Sequence, residues 1–225
     1  MRRFHELVTE IRSRFPSDDF FANFEESCRT DRVKRRHYEC YDRALMFLDA
    51  SSWKILKKKA VDHYMNQRRG QRKQGFFNQL NEAFAYRYLC RRGFRRVRFI
   101  QEGAQKTPDI RFSDHGILKC CEVKTIGISD DEIKRRSSNS VFDGSNYISL
   151  NPEIRRKFAG NVVEGRDQIR FCAEAGLVFI LIRFDDIALD HYAGYRTQLR
   201  TFCREQRFSD VVVKTGHQGN RILRV

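Results

Sequence analysis

No stretch of this chain approaches the roughly 18 consecutive apolar residues of a membrane-spanning helix, so no such helix is expected. Nor does the basic N-terminus, MRRFHELVTEIRSRF, contain the short apolar region of a secretory signal; it mixes acids into a helical pattern instead. Seven cysteines are present, at positions 28, 40, 90, 120, 121, 172 and 203, yet no two form a CxxC pair and the ligand spacings of a structural zinc site are missing. An odd count without an export signal reads as reduced thiols in a cytoplasmic protein. There is no internal repeat and no low-complexity segment.

Acids are scarce in one place. Residues 51–100 hold 14 Lys/Arg and only 2 acids, a net of +12, whereas residues 1–50 hold 10 of each and residues 101–225 hold 20 and 17. Most of the chain's formal charge of +15 therefore sits in one stretch of fifty residues. A field so concentrated suits a polyanion, with nucleic acid ahead of an anionic membrane. The competing explanation is a solvated basic face with no partner.

What is abundant is aromatic: 19 Phe and 8 Tyr within a 40% hydrophobic composition, which marks a globular chain rather than a disordered one. Residues 1–70 read as helix throughout. Phe4, Leu7, Val8, Ile11 and Phe15 recur at helical spacing, Pro16-Ser17-Asp18 stops that helix, Tyr38–Asp49 is another, and Ser51 or Ser52 caps a further one through Trp53, Leu56, Ala60 and Tyr64. The polar run Gln67–Gln74 reads as a hinge. Beyond it the pattern alternates. Gly75–Arg92 is a helix with Phe77, Leu80, Phe84 and Tyr88 on one face, stopped by Gly93. Strands are expected at Val97–Ile100, Asp109–Phe112 and Ile117–Thr125, the last two joined as a hairpin across residues 113–116. Residues 128–148 read as a long loop, Pro152–Ala175 as a helix that can break near Gly160 or Gly165, Leu177–Phe184 as a buried central strand, Asp190–Gln206 as a helix, and Val211–Val213 and Ile222–Val225 as strands. The expected class is thus α/β with a mixed sheet flanked by helices and a helical N-terminal lobe, divided into residues 1–74 and 75–225.

Two carboxylates fall on neighbouring expected strands. Asp109 follows Pro108, and Glu122 lies two residues before Lys124, on the same strand face by period-two geometry. Cys121 and Val123 point to the other face. Two close carboxylates invite a hard divalent cation, and Mg²⁺ takes few protein carboxylates while keeping several waters. One such water can attack a phosphodiester, with the nearby ammonium of Lys124 holding the water or neutralising developing charge. Glu82, on the preceding helix, is a candidate third carboxylate.

The strings Thr-Pro-Asp-Ile at 107–110 and Glu-Val-Lys-Thr at 122–125, twelve residues apart between Asp109 and Glu122, resemble the PD-(D/E)XK nuclease superfamily. The resemblance covers about Gly75–Phe184 and includes the family's order of helix, three strands, helix, strand. It implies a restriction-endonuclease-like fold, with Mg²⁺ or Mn²⁺ held by Asp109, Glu122, the Val123 carbonyl and Glu82. It also implies catalytic assistance from Lys124, and Gln168 in Gly-Arg-Asp-Gln-Ile looks similar to a Gln that some branches carry on the following helix. Each residue also has a plainer explanation. Asp109 can cap a turn, Glu122 and Lys124 can pair on an exposed strand, Glu82 can be a solvated helix acid and Gln168 an ordinary helix residue. His115 and His191 lack partners at useful spacing.

The expectation is a metal-dependent nuclease acting on nucleic acid, DNA ahead of RNA, with no membrane partner. Some of the basic residues Lys57–Lys59, Arg68, Arg69, Arg72, Lys73, Arg91, Arg92, Arg95, Arg96 and Arg98 would contact phosphate, as would Lys134, Arg135 and Arg136 of the long loop. A homodimer is compatible with cutting two strands, though no dimer surface is evident. The rivals are a catalytically silent nuclease fold that only binds nucleic acid, and a basic adaptor for a protein or an acidic membrane.

Overall fold

The computed structural model describes residues 1–67, 72–101, 103, 106–127, 149–183, 191–217 and 221–224. Among these are seven helices: α1 (Arg2–Arg14), α2 (Phe24–Thr30), α3 (Arg32–Leu45), α4 (Ala50–Asp62), α5 (Gln74–Arg91), α6 (Pro152–Arg170) and α7 (Tyr192–Glu205). Six strands, β1 (Arg95–Phe99), β2 (Ile110–Asp114), β3 (Ile117–Ile126), β4 (Gly176–Ile182), β5 (Val211–Thr215) and β6 (Ile222–Arg224), form one mixed sheet in the order β1-β2-β3-β4-β5-β6. The expected α/β class with a mixed sheet is therefore correct. The long loop at 128–148 and the residues at 184–190, including the expected ends Phe184 and Asp190, lie outside the described residues, as do Arg68, Arg69 and Val225. The chain divides into two compact units, one of Met1–Gln105 with Asp109–Leu118, the other of Lys106–Pro108 with Lys119–Val225.

In the first unit the helix ends are set by aspartates. Asp31 accepts from the backbone N–H of Val33 (2.8 Å) and Lys34 (3.0 Å), capping α3. Asp49 accepts from Ser52 N–H at 2.7 Å, so it, not Ser51 or Ser52, caps α4. Ser52 instead lies buried in the first turn, and its hydroxyl accepts from Phe99 N–H at 3.2 Å, tying α4 to β1. Met1, at the N-cap of α1, makes no side-chain cap. Asp42 of α3 accepts from Phe4 N–H at 3.0 Å and satisfies one of the donors left open there.

The expected stripe Phe4, Leu7, Val8 and Ile11 is the buried face of α1. Phe4 meets Phe21, Phe24, Tyr38, Tyr41 and Phe76 with ring centroids 4.8–6.5 Å apart, a cluster of edge, tilted and stacked contacts worth about 0.5–1.5 kcal/mol per pair beyond area burial. Helix α5 packs against α3, α4 and β1. It is consequently buried on more than the one face the periodicity suggests: Asn81, Glu82, Ala83 and Ala85 are as inaccessible as Phe77, Leu80 and Phe84. Gly93 follows α5 at φ +82°, the left-handed stop expected of it.

Lys73, expected to lie in a polar hinge, is 2% exposed at φ +58°. Its ammonium binds Asp18 and lies 3.9 Å from the centre of the Tyr64 ring, and Tyr64 Oη donates to the other oxygen of Asp18. Burial by itself would raise the Asp18 carboxyl, but the hydrogen bonds from Lys73, Tyr64 and the Phe20 backbone hold it below the usual carboxylate range. With the folded value depressed, the stabilisation is present above the unfolded value and is lost as pH falls through the folded one. Asp18→Asn is expected to cost about 1–3 kcal/mol at pH 7, the usual range for a hydrogen-bonded charged group. Thermal unfolding at about pH 7 and at about pH 2–3, on either side of the usual carboxylate range, checks this, since the gap between variant and parent should narrow in acid. An equal gap at both pH values would show that the carboxylate charge is not what holds Lys73.

In the second unit β4 runs parallel to β3 and to β5, and β6 is antiparallel to β5. Val178–Ile182 is buried without interruption, as a strand flanked on both sides requires. Asn151 caps α6 by accepting from Glu153 N–H at 2.7 Å, with Pro152 at the first helical position. Helix α6 is continuous from Pro152 to Arg170, with no break at Gly160 or Gly165, and it stops short of Ala175. Gly165 has a packing role instead: a Cβ there would stand 3.0 Å from Val178 Cγ1 and 3.4 Å from Glu122 Cγ. Glycine thus lets α6 lie close over the strand that carries Glu122. Among the described residues no helix is long and apolar enough to cross a membrane.

Candidate active site

Four of the sequence-derived site residues lie in the second unit, on β3 and α6. Glu122 and Lys124 share a strand face, as period-two geometry requires, and pair in register with Val178 and Ile180 of β4. Lys124 Nζ lies 3.1 Å from Glu122 Oε1 and donates to Gln168 Oε1 at 2.7 Å. Glu164, one helical turn before Gln168, approaches the same ammonium at 3.4 Å. The charge of Lys124, ahead of partial burial, holds the Glu164 carboxyl below its usual range, with hydrogen bonds from Lys124 and Lys106 adding to the effect. Glu122 is 4% exposed, so this is no exposed strand-face pair. Val123, of opposite parity, is half-buried beside Phe179 of β4.

The other two lie in the first unit. Asp109 immediately precedes β2, and its backbone carbonyl accepts from Ile100 N–H at 2.8 Å, which fixes the chain direction at that point. Its side chain meets Lys59 of α4 with Nζ to Oδ1 at 3.2 Å. The same ammonium lies 2.8 and 3.0 Å from the two oxygens of Glu82 on α5. Glu82 is 5% exposed and so is no solvated helix acid.

Two carboxylates thus converge on one buried ammonium in the first unit. In the second, one buried and one half-exposed carboxylate converge on another. A buried charge is costly unless paired, and the two buried carboxylates, Glu82 and Glu122, each lie against an ammonium.

Compared with protein-family models, curated proteins and solved structures, the chain matches none.

Two participants are not evident from the motif. Lys59 reads from sequence only as one of the basic residues of α4. It falls three residues after Leu56 and one before Ala60, inside the buried stripe of Trp53, Leu56 and Ala60, and a lysine in an apolar stripe is the signal that it turns inward. Glu164 is four residues before Gln168 on α6, so any partner of Gln168 was within its reach. The surrounding lysines are committed differently. Lys57 binds Glu6 and Glu10 at 3.0 and 2.8 Å, and Lys58 binds Asp62. With Lys59 and Lys73 buried in ion pairs, the phosphate contacts expected of the residues 51–100 do not extend to these two. His115, 96% exposed on its side chain, sits in the turn between β2 and β3 at φ +49°.

Among the described residues no group of three or more His, Cys, Asp and Glu is arranged to hold a metal ion. A magnesium site does not need one, since that cation commonly takes one or two carboxylates and completes its shell with water and substrate oxygens. The donor chemistry of Asp109, Glu82 and Glu122 is of this kind: hard oxygen donors, buried or nearly so, already drawn to cationic nitrogen.

Proposed function

We propose that this protein is a metal-dependent nuclease of the PD-(D/E)XK type, with a restriction-endonuclease-like core, that hydrolyses phosphodiester bonds in nucleic acid, DNA ahead of RNA. The observation that carries this is the burial of Glu82 and Glu122 and the near-burial of Asp109, each against an ammonium, at the three positions where the motif calls for carboxylates. Ordinary surface acids would have no reason to be inaccessible there. Asp109 and Glu122 would hold Mg²⁺ or Mn²⁺, with Glu82 and the Val123 carbonyl as further ligands. A bound divalent cation would supply an acidified water and a counter-charge for the phosphorane.

The remaining chemistry belongs to the chain. Lys124 lies 3.1 Å from Glu122 and donates to Gln168 at 2.7 Å, a hydrogen-bond donor beside a carboxylate that would bind the metal. In the reaction this ammonium orients the attacking water or neutralises a non-bridging phosphate oxygen. Glu164 shares the ammonium and limits its swing. Gly165, by allowing α6 to lie against Glu122, keeps Gln168 within reach of Lys124. The helical region 1–74 would serve as the backbone-gripping lobe, and pairing of two copies would deliver two cuts to a duplex.

The test is direct. Purified protein is incubated with linear, plasmid, branched and single-stranded DNA and with RNA, in Mg²⁺, in Mn²⁺ and in chelator. Cutting that requires the divalent ion is the expected result. Absence of cutting on every substrate would discard the reading in favour of a fold that binds nucleic acid without cleaving it, and cutting that persists in chelator would discard the metal dependence.

A further inference from the structure

The second unit carries a cluster of arginines that the catalytic reading does not use. Arg200, Arg204, Arg207 and Arg224 line one pocket of about 410 Å³, together with Cys203, Phe208 and Ser209. That volume is in the range of pockets that hold small ligands. Its construction is legible from the elements. Arg200 and Arg204 are four residues apart on α7 and so share a face, near the helix C-terminus where cations are favoured. Arg207 follows in the left-handed conformation, φ +53°, and this turns the chain toward Asp210 and β5. Arg224 is on β6, the last strand of the sheet. Cys203 and Phe208, both buried, line it as well.

All four arginines are exposed. Among the described residues none of them forms an ion pair, whereas nearby Arg166 is already committed to Asp210, Nε to Oδ2 at 2.9 Å, and lies over the Phe208 ring. No carboxylate lines the pocket. Four like charges gathered around one concavity repel one another, and an anion relieves that repulsion. Guanidinium presents a planar fork of donors that matches phosphate oxygens two at a time, and Ser209 adds a hydroxyl. Among the described residues none of the exposed large apolar side chains (Val33, Met46, Phe47, Met65, Ile117, Leu118, Val163 and Phe171) lines the pocket.

We infer that the pocket between α7 and β6 is a binding site for backbone phosphates of a nucleic acid, held by Arg200, Arg204, Arg207 and Arg224. The inference stands on this pocket and not on the metal ligands. It also relocates the grip: the sequence concentrates charge in residues 51–100, yet several lysines there are spent on internal acids, while this cluster is open.

The experiment is fluorescence anisotropy of labelled single- and double-stranded DNA in chelator, so that binding is read without cleavage. The parent, Arg204→Ala/Arg224→Ala, Arg204→Lys/Arg224→Lys and the control Arg170→Ala are compared across salt concentrations. Loss of two phosphate contacts should weaken binding about tenfold or more and lower the slope of log affinity against log salt by about 2. The lysine pair should retain the slope while binding more weakly than the parent, and Arg170→Ala should leave both nearly unchanged. Unaltered affinity and slope in the double alanine variant, with its unfolding temperature preserved, would overturn the inference. Two further arms locate the anion's source. If inorganic phosphate, titrated calorimetrically, binds the parent and not the alanine pair while DNA affinity is unchanged, the pocket serves free phosphate and the nucleic-acid assignment fails. If poly-glutamate loses affinity in that variant while DNA does not, it fails in favour of an acidic peptide.

Discussion

Replacement of Asp109 by alanine should reduce metal-dependent cleavage by about 10²–10⁴-fold, because a metal ligand supports several kcal/mol of transition-state stabilisation and each 1.4 kcal/mol is about a factor of ten. Two readouts separate this from simple damage. Calorimetric affinity for Mn²⁺ should fall in the same variant, and far-UV circular dichroism should be unchanged, because the structural anchor at this position is the backbone carbonyl that receives Ile100 N–H, which alanine retains. Lys124→Ala should behave differently: cleavage falls by about 10²–10³-fold, the range for removal of one charge-stabilising donor, with Mn²⁺ affinity held or raised. Cleavage unchanged in Asp109→Ala would remove Asp109 from the site. A fall in cleavage with undiminished Mn²⁺ affinity would remove it from the metal.

The second large effect is on stability and concerns Lys59, whose side chain is 8% exposed between Glu82 and Asp109. Lys59→Met keeps a similar length but leaves two carboxylates without their shared cation. Breaking a buried ion pair by removing one partner costs about 3–5 kcal/mol, equivalent to roughly 6–20 °C in unfolding temperature for a chain of this size. Glu82→Gln added to Lys59→Met should recover much of that loss, because one of the two stranded charges is removed with its volume retained. Mg²⁺ should raise the unfolding temperature of Lys59→Met more than that of the parent, since a cation bound only by the folded state stabilises it by mass action. A Lys59→Met protein within about 0.5 kcal/mol of the parent, the size of an ordinary surface substitution, would show that the pairing contributes little. A destabilised variant indifferent to Mg²⁺ would keep the structural role and deny the carboxylates their proposed ligand.

Both predictions bear on how differently the parts of this molecule can be seen from sequence. The strand positions are local matters. The alternation around Glu122 and Lys124 determines that they share a face, and the 3.1 Å contact between their side chains follows from it. The uninterrupted apolar run at 177–182 is explained by a strand with a parallel neighbour on each side, and Gly93 by a backbone conformation that side chains disfavour. These features depend on a few neighbouring residues, which is why periodicity and turn chemistry suffice.

Helix α5 and the lysines of α4 are the opposite case. Periodicity assigns α5 one apolar face, because a helix normally has one; here α3, α4 and β1 cover it from several sides, and Glu82 goes inside with the rest. Net charge assigns Lys57, Lys58 and Lys59 to a solvated basic surface, since charge counted along a chain carries no information about distant acids. Glu6 and Glu10 lie about fifty positions from Lys57, and Asp109 fifty from Lys59, so only the folded chain could pair them.

By itself, then, the sequence determined the α/β class, the mixed sheet, the shared face of Glu122 and Lys124 and the excess of positive charge, because each is set by composition or by residues a few positions apart. Tertiary structure alone decided that Glu82 is buried, that Lys59 stands between Glu82 and Asp109, that Gln168 and Glu164 meet Lys124, and that Arg200, Arg204, Arg207 and Arg224 gather between α7 and β6. Those outcomes depend on which side chains distant in sequence are brought within about 3 Å, where hydrogen bonding and charge pairing act, and that is a property of packing.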